Sequence, residues 1–201
     1  MVRNRRPPHH PNGSAFVNIS GDYRYMSEGH YESVEAEIQE IVVYPRIKES
    51  LDAYVVPLCM ERAKKAEISI PEYYISNGYF EPPAIVYPIN PFMRKHSVVY
   101  KEGHVKTIGK SLTRNYKYPI CVQKIKEEAS IREFKCIMGT TSTEEYDQMA
   151  SRIWNLFHLP ICKVRVIENG EPQLSAVEPL PLHQLRPKEL KLLRKANEWQ
   201  I

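Results

Sequence analysis

The residues best suited to hold a ligand follow a short apolar run near the start of the chain. Residues 15–19 are predicted to form a strand, and a helix is predicted to begin near Gly29 or His30. A loop between a strand and a helix offers unpaired backbone N–H groups and the positive end of the helix dipole to an anion. The predicted anion or ligand site consists of Ser20, Gly21, Arg24, Tyr25, Ser27 and Gly29. The alternative is a tight strand-to-helix connection capped by a serine.

A basic segment in the middle of the chain is the second candidate. Residues 94–124 contain eight lysines or arginines and one acid, Glu102. Three tyrosines lie among them, a composition typical of single-stranded nucleic-acid binding, although no RRM, KH or OB signature is present. The alternative is a solvated face balanced by the acidic segment 28–40. The predicted basic interaction surface consists of Arg94, Lys95, Lys110, Arg114 and Lys117.

No pattern in the sequence predicts a metal centre or a catalytic nucleophile. The seven histidines do not fall at zinc-like spacing with one another or with cysteine. The cysteines are widely separated in apolar contexts, which predicts reduced, buried thiols. They are Cys59, Cys121, Cys136 and Cys162. We therefore expect no metal, no cofactor and no catalytic residue.

Composition places the chain among soluble globular proteins. Apolar residues make up 42% of the sequence and charged residues 26%, and the net charge is +4. No apolar run approaches the roughly 20 residues that span a bilayer. The basic N-terminus also lacks the apolar segment of a secretory signal. These features predict a cytoplasmic protein that does not contact a membrane.

The first third of the chain predicts a β-α-β unit. Residues 1–13 are expected to be a disordered basic arm. The helix after the loop has an apolar stripe that should face the core, formed by Tyr31, Val34, Ile38 and Ile41. A second strand at 41–44 would pair in parallel with the first. Residues 47–66 then have helical spacing, with Pro57 expected to kink the helix or restart it.

Six prolines predict that residues 68–125 are an irregular, Pro-rich insertion. Short strands are expected within it at 84–87, 97–100 and 120–123, and a helix at 105–112.

The last third predicts a strand, a helix and a C-terminal β-hairpin. The helix should bury one face, with Trp154 in the core. We expect a three-residue hairpin loop, Glu168 to Gly170, with Gly170 left-handed. The predicted fold class is α/β, with one domain of two or three layers over residues 14–201 and a mostly parallel sheet.

Both ends of this pattern resemble the RimK-like ATP-grasp N-terminal domain family, the module that precedes the catalytic part of RimK-like ATP-grasp ligases. Tyr23-Arg24-Tyr25, Ser27, Gly29, Tyr31 and Ser33 are similar to the family's run R-Y-x-S-x-G-Y-Y-x-S, in which His30 replaces one tyrosine. Gly139-Thr140-Thr141 and Glu178-Pro179-Leu180 carry the second part of the resemblance, within 136–193. Residues 57–125 have no clear counterpart in that pattern.

The resemblance implies an α/β module that works beside an ATP-dependent carboxylate–amine ligase. In the ATP-grasp magnesium site, a Glu and an Asn two residues later bind the metal, whereas Leu180 lies two residues after Glu178 here. Because the sequence stops at Ile201, before any ATP-binding domain, we expect a non-catalytic companion or substrate-presenting module for a ligase on a separate chain. One alternative is a nucleic-acid or acidic-peptide binding module that uses residues 94–124. The other is a degenerate stand-alone ATP-dependent enzyme.

Overall fold

A computed structural model describes residues 15–90, 92–93 and 95–198, the last three of these by backbone only. The predicted arm at residues 1–13 lies outside the described residues. The strands are β1 (Phe16–Val17), β2 (Val43–Tyr44), β3 (Tyr73–Ser76), β4 (Ala84–Pro88), β5 (Ser97–Val99), β6 (Ile120–Lys124), β7 (Ser130–Ile137), β8 (Ile161–Asn169) and β9 (Glu171–Pro179). The helices are α1 (Glu28–Ile38), α2 (Ile47–Tyr54), α3 (Val56–Lys65), α4 (Val105–Leu112), α5 (Asp147–Phe157) and α6 (Pro187–Glu198). No helix among the described residues has the length and apolar character needed to cross a bilayer.

The sheets of this mixed α/β fold are mainly antiparallel, so the predicted mostly parallel sheet is wrong. Strands β1 and β2 pair in parallel, as the β-α-β pattern predicts. The sheet β3–β6–β4–β5 is antiparallel at every pairing. In the sheet β7–β8–β9, Gly170 alone separates the last two strands, which makes them a hairpin. Parallel pairing needs a long crossover, and a helical crossover of that kind joins β1 to β2.

The chain divides into two compact units. Of the described residues, unit 1 contains 15–51, 134–163 and 178–198, and unit 2 contains the rest, between 52 and 133 and between 164 and 177. The single domain predicted over residues 14–201 stays a prediction, because a division into two compact units does not show whether they fold together.

Unit 1 buries an apolar cluster formed by Ile137, Met138, Ile161, Leu180, Leu185 and Leu193. Trp154 packs against this cluster but is only half-buried, so its predicted core position is wrong. Its ring covers Gly139, where an added Cβ would lie 3.1 Å from the Trp154 Cβ. The buried side of α5 is instead formed by Ala150, Ile153 and Phe157.

Unit 2 is more regular than predicted. Three predicted strands are present as β4, β5 and β6, and the predicted helix at 105–112 is α4. Its core contains Phe80, Ala84, Val86, Val99, Val105, Leu112, Ile120 and Val122. The segment is therefore less irregular than expected, because its described prolines stand between or at the ends of short strands, where a missing N–H costs little. Whether it is an insertion stays a prediction. Pro57 lies in the first turn of α3, which confirms that it restarts the helix.

Candidate functional site

The loop between β1 and α1 is organised by the buried side chain of Asn18, which is 1% exposed. Its Nδ2 donates to the Gly29 carbonyl oxygen at 2.7 Å and to Ser33 Oγ at 3.1 Å. Its Oδ1 accepts the Ser20 N–H at 3.1 Å, and its carbonyl oxygen accepts the Tyr23 hydroxyl at 2.7 Å. Burial raises the pKa of Tyr23 far above its usual value, so this hydroxyl stays protonated. Asn18 therefore joins the strand, the loop and the helix.

Several hydrogen-bond donors that were predicted to bind an anion instead contact other groups of this loop. Ser27 is the N-cap of α1, because its Oγ accepts the His30 N–H at 3.1 Å and donates to the Asp22 carbonyl oxygen at 2.7 Å. Ser20 Oγ donates to the same carbonyl oxygen at 3.4 Å. The Arg24 guanidinium pairs with the Asp22 carboxylate, its Nε lying 2.8 Å from Oδ1. These contacts form the serine-capped connection, and an anion site in the loop stays a prediction.

Close packing explains why two positions of the loop are glycine. Gly21 has φ +75°, and a Cβ there would overlap the Leu180 carbonyl oxygen. A Cβ on Gly29 would overlap Ser20 Oγ. Both positions therefore need glycine for close backbone approach. Tyr25, the remaining predicted residue, is exposed.

An open cleft of about 640 Å³ lies along α4 in unit 2. Three basic side chains and four uncharged ones line it: Met93, Lys106, Thr107, Lys110, Ser111, Arg114 and Asn115. Lys106 and Lys110 lie one helical turn apart, and all three basic residues are exposed. With no acid in the lining, the cleft has a positive potential that favours anionic ligands.

A left-handed turn supplies two of the residues that line this cleft. Arg114, Asn115 and Tyr116 have φ values of 51°, 59° and 62°. Residues other than glycine rarely adopt this conformation, and three in succession must be held by their surroundings. Thr113 Oγ1 accepts the Tyr116 N–H at 2.8 Å, and the Tyr116 ring lies so close to Gly78 that an added Cβ would be 2.8 Å from it. The turn therefore holds Arg114 and Asn115 at the cleft.

The structure brings only part of the predicted basic surface together. Lys110 and Arg114 line the cleft, whereas Lys95 and Lys117 are exposed but do not line it. Arg94 lies outside the described residues. Lys106 was missed, although its four-residue spacing from Lys110 on the predicted helix is a usable signal. The uncharged lining residues carry no such signal in the sequence.

The residues around Glu178 do not fit the magnesium site of ATP-grasp enzymes. Glu178 Oε2 lies 2.8 Å from the ammonium nitrogen of Lys163, and Leu180 is a buried apolar residue. Magnesium requires several oxygen ligands in octahedral geometry. Across the part of the chain that the structure describes, no three His, Cys, Asp or Glu side chains are grouped so that they could hold a metal ion.

The four cysteines are buried and lie outside any disulfide, as predicted. Burial raises the pKa of the Cys59 and Cys121 thiols to about 12. Neither thiol is therefore a nucleophile near neutral pH.

Comparison with known proteins identifies the family and the fold. The family model for the RimK-like ATPgrasp N-terminal domain matches residues 93–196. D-alanine–D-alanine ligase from Helicobacter pylori is similar in structure, with TM-score 0.62 and 16% identity over 92% of this chain and 70% of that one. A RimK domain ATP-grasp protein from Sphaerobacter thermophilus has TM-score 0.58 and 13% identity over 80% and 71%. No curated protein sequence matches this chain.

A third similar structure is the ATP-grasp ligase PsnB complexed with minimal precursor, Mg and ADP, with TM-score 0.58 and 11% identity over 86% of this chain and 68% of that one. At these identities the three structures establish a fold like that of ATP-grasp ligases. The family match includes the whole of α4 and its cleft, so residues 93–125 have a counterpart in the family, whereas residues 57–92 lie outside the match. The loop at 20–33 lies outside the matched residues. The family model matches just over half of the residues of this chain. The chain therefore belongs to the RimK-like ATP-grasp N-terminal domain family.

Proposed function

We propose that this protein is a non-catalytic companion module that presents an acidic substrate to an ATP-grasp carboxylate–amine ligase on a separate chain. The observation that carries the proposal is the basic cleft along α4, which lies inside the residues matched by the family model. The engagement of Glu178 by Lys163 supports a non-catalytic role for this module.

The chemistry of the cleft suits a carboxylate-rich peptide. Lys106, Lys110 and Arg114 supply three positive charges, which attract an acidic chain and speed its encounter with the protein. The hydroxyls of Thr107 and Ser111 add neutral hydrogen-bonding groups that orient a bound carboxylate. The cleft volume of about 640 Å³ lies in the range of ligand sites. One PsnB structure holds a precursor peptide, and we extend a peptide substrate to this chain as part of the proposal.

Binding of a glutamate-rich peptide, followed by fluorescence anisotropy, tests the cleft. Lys106→Glu combined with Lys110→Glu should weaken binding by about tenfold or more, which corresponds to about 1.4 kcal/mol. The matched control combines Lys64→Glu with Lys65→Glu on α3, which changes net charge equally at two exposed lysines. Equal losses in the two double variants, or no binding by the natural protein, would contradict the proposal.

Single-stranded RNA is the second candidate ligand, because exposed tyrosines, on which bases can stack, lie within the basic segment 94–124. These are Tyr100, Tyr116 and Tyr118. Three phosphate contacts in the cleft would give a log–log salt slope of about −2, at about −0.7 per contact. Micromolar RNA binding that survives about 150 mM salt and is lost in the Lys106→Glu, Lys110→Glu variant would replace the peptide by RNA.

A further inference from the structure

Helix α1 carries its apolar stripe on the solvent side. Its buried residues are Gly29, Ser33 and Ala36, all small. Tyr31 and Ile38, which the sequence pattern places in the core, are 56% and 76% exposed. Val34 and Ile41, the other two residues of the predicted stripe, are half-buried. The predicted core position is therefore wrong for Tyr31 and Ile38, which leave an apolar strip of α1 open to solvent.

The inner face of α1 fixes this orientation. Asn18 binds the Gly29 carbonyl oxygen and Ser33 Oγ, and Ala36 is completely buried. A Cβ at Gly29 would overlap Ser20 Oγ, so no larger side chain could replace the small ones at this approach. Rotating α1 to bury Tyr31 and Ile38 would break these contacts. The packing of unit 1 therefore requires both side chains to be exposed.

Acidic residues border the stripe on both sides. At 100° per residue, Glu28, Glu32 and Glu35 follow one border, and His30 and Glu37 follow the other, where Glu37 Oε1 also accepts the Ile47 N–H at 2.7 Å. The helix contains no lysine or arginine. Two copies packed through this face would bring like charges together, which disfavours self-association.

We infer that the α1 stripe is a docking surface for a partner protein that presents an apolar helix face bordered by lysine or arginine. Tyr31 and Ile38 supply the apolar contact, and the glutamates select the basic partner. Val42, which follows the helix, is a further exposed apolar residue of unit 1. This surface belongs to unit 1 and the cleft to unit 2, so the inference does not rest on the proposed function.

Two synthetic helical peptides test the docking surface against the full chain. Both have leucines along one face, and the borders of this face are lysine in one peptide and glutamate in the other. The lysine peptide should bind at least about tenfold more tightly. Ile38→Ser should weaken its binding by about tenfold, while Ile75→Ser, at another exposed isoleucine in β3, should leave it unchanged.

A charge exchange makes the test specific. Glu35→Lys should weaken binding of the lysine peptide and strengthen binding of the glutamate peptide. Equal affinity for the two peptides, or equal losses in Ile38→Ser and Ile75→Ser, would overturn the inference. So would dimerisation of the natural protein that Ile38→Ser abolishes, because the surface would then serve a second copy. Unchanged thermal midpoints in all three variants would show that folding is intact.

Discussion

The amide of Asn18 satisfies three buried or half-buried groups at once, on Ser20, Gly29 and Ser33. Asn18→Ala should therefore lower the free energy of unfolding by about 2–3 kcal/mol, because buried polar groups lose their partners. Urea denaturation measures the loss. Ser20→Ala is the control, since its Oγ makes one long hydrogen bond of 3.4 Å, and it should cost less than about 0.5 kcal/mol. Similar losses in the two variants would contradict the role of Asn18.

Among the residues of the candidate site, only charged ones could be predicted from the sequence. Lys110 and Arg114 stand out because they belong to a strongly basic segment, and both line the cleft. Arg24 also stands out by charge, but its partner Asp22 engages it within the loop. The sequence alone does not reveal which basic residues are neutralised by a neighbour, because such pairing depends on the folded backbone.

Helix α1 shows where hydrophobic periodicity misleads. The pattern located the helix, which begins at Glu28, but assigned its exposed face to the core. Periodicity identifies an apolar stripe without saying whether the chain's own core or another molecule covers it. The usable signal was the opposite face, where Gly29, Ser33 and Ala36 permit close backbone approach.

Close approach at Gly29 gives a prediction for α1. Gly29→Ala should destabilise the protein by about 1–3 kcal/mol, because the added methyl overlaps Ser20 Oγ and forces the loop to shift. Gly103→Ala should be neutral or slightly stabilising, since a Cβ there meets nothing within 4 Å. Thermal unfolding compares the two. A neutral Gly29→Ala would show that the loop adapts freely.

Helix α6 depends on Glu189, whose carboxylate accepts the Arg186 N–H and lies 2.9 Å from the Lys135 ammonium nitrogen. Burial alone would raise the pKa of Glu189, but these two contacts outweigh it and lower the pKa below its usual value. A lowered pKa in the folded state adds stability above the unfolded pKa of about 4.3, which is lost as pH falls through the folded value.

Glu189→Gln should accordingly cost about 1 kcal/mol at neutral pH and progressively less below about pH 4. Urea denaturation at several pH values measures the difference. A cost that stays constant between neutral and acidic pH would contradict the ionic role of Glu189.

The C-terminal hairpin shows a smaller failure of prediction. Gly170 has φ +96°, so its positive φ is confirmed. The three-residue loop is wrong, because Glu168 and Asn169 belong to β8. Ser130 Oγ and Arg132 Nε each contact Glu168 Oε2 at 2.7 Å, and these contacts from β7 keep the strand regular to its end. Such cross-strand contacts lie far apart in sequence and cannot be read from local turn patterns.

The whole chain shows the same division between local and long-range information. Helices α3 and α4 and strands β4, β5 and β6 follow local apolar patterns, and sequence predicted them closely. Pairing of β6 with both β3 and β4 joins residues 32 to 50 positions apart in the sequence. Over such separations, the alternation of apolar and polar residues does not show which strands pair. The mostly parallel sheet was wrong for that reason.

The isolated protein should bind ATP weakly. Glu178 is engaged by Lys163, and Leu180 offers no ligand oxygen, so the metal-bridged phosphate contacts of an ATP-grasp site cannot form there. We expect a Kd for ATP with Mg²⁺ weaker than about 10 μM, measured by calorimetry. Tighter binding would favour a stand-alone ATP-dependent enzyme.

Ligation by the native assembly tests the central claim most directly. Tagged protein would be isolated with its bound partners, supplied with ATP, a free amino acid and a glutamate-rich peptide, and assayed for the peptide–amine product. The account predicts product from the natural assembly, about tenfold less with Lys106→Glu and Lys110→Glu at subsaturating peptide, and no loss with Lys64→Glu and Lys65→Glu. Equal product from the cleft variant, or full activity of the chain stripped of every partner, would contradict it.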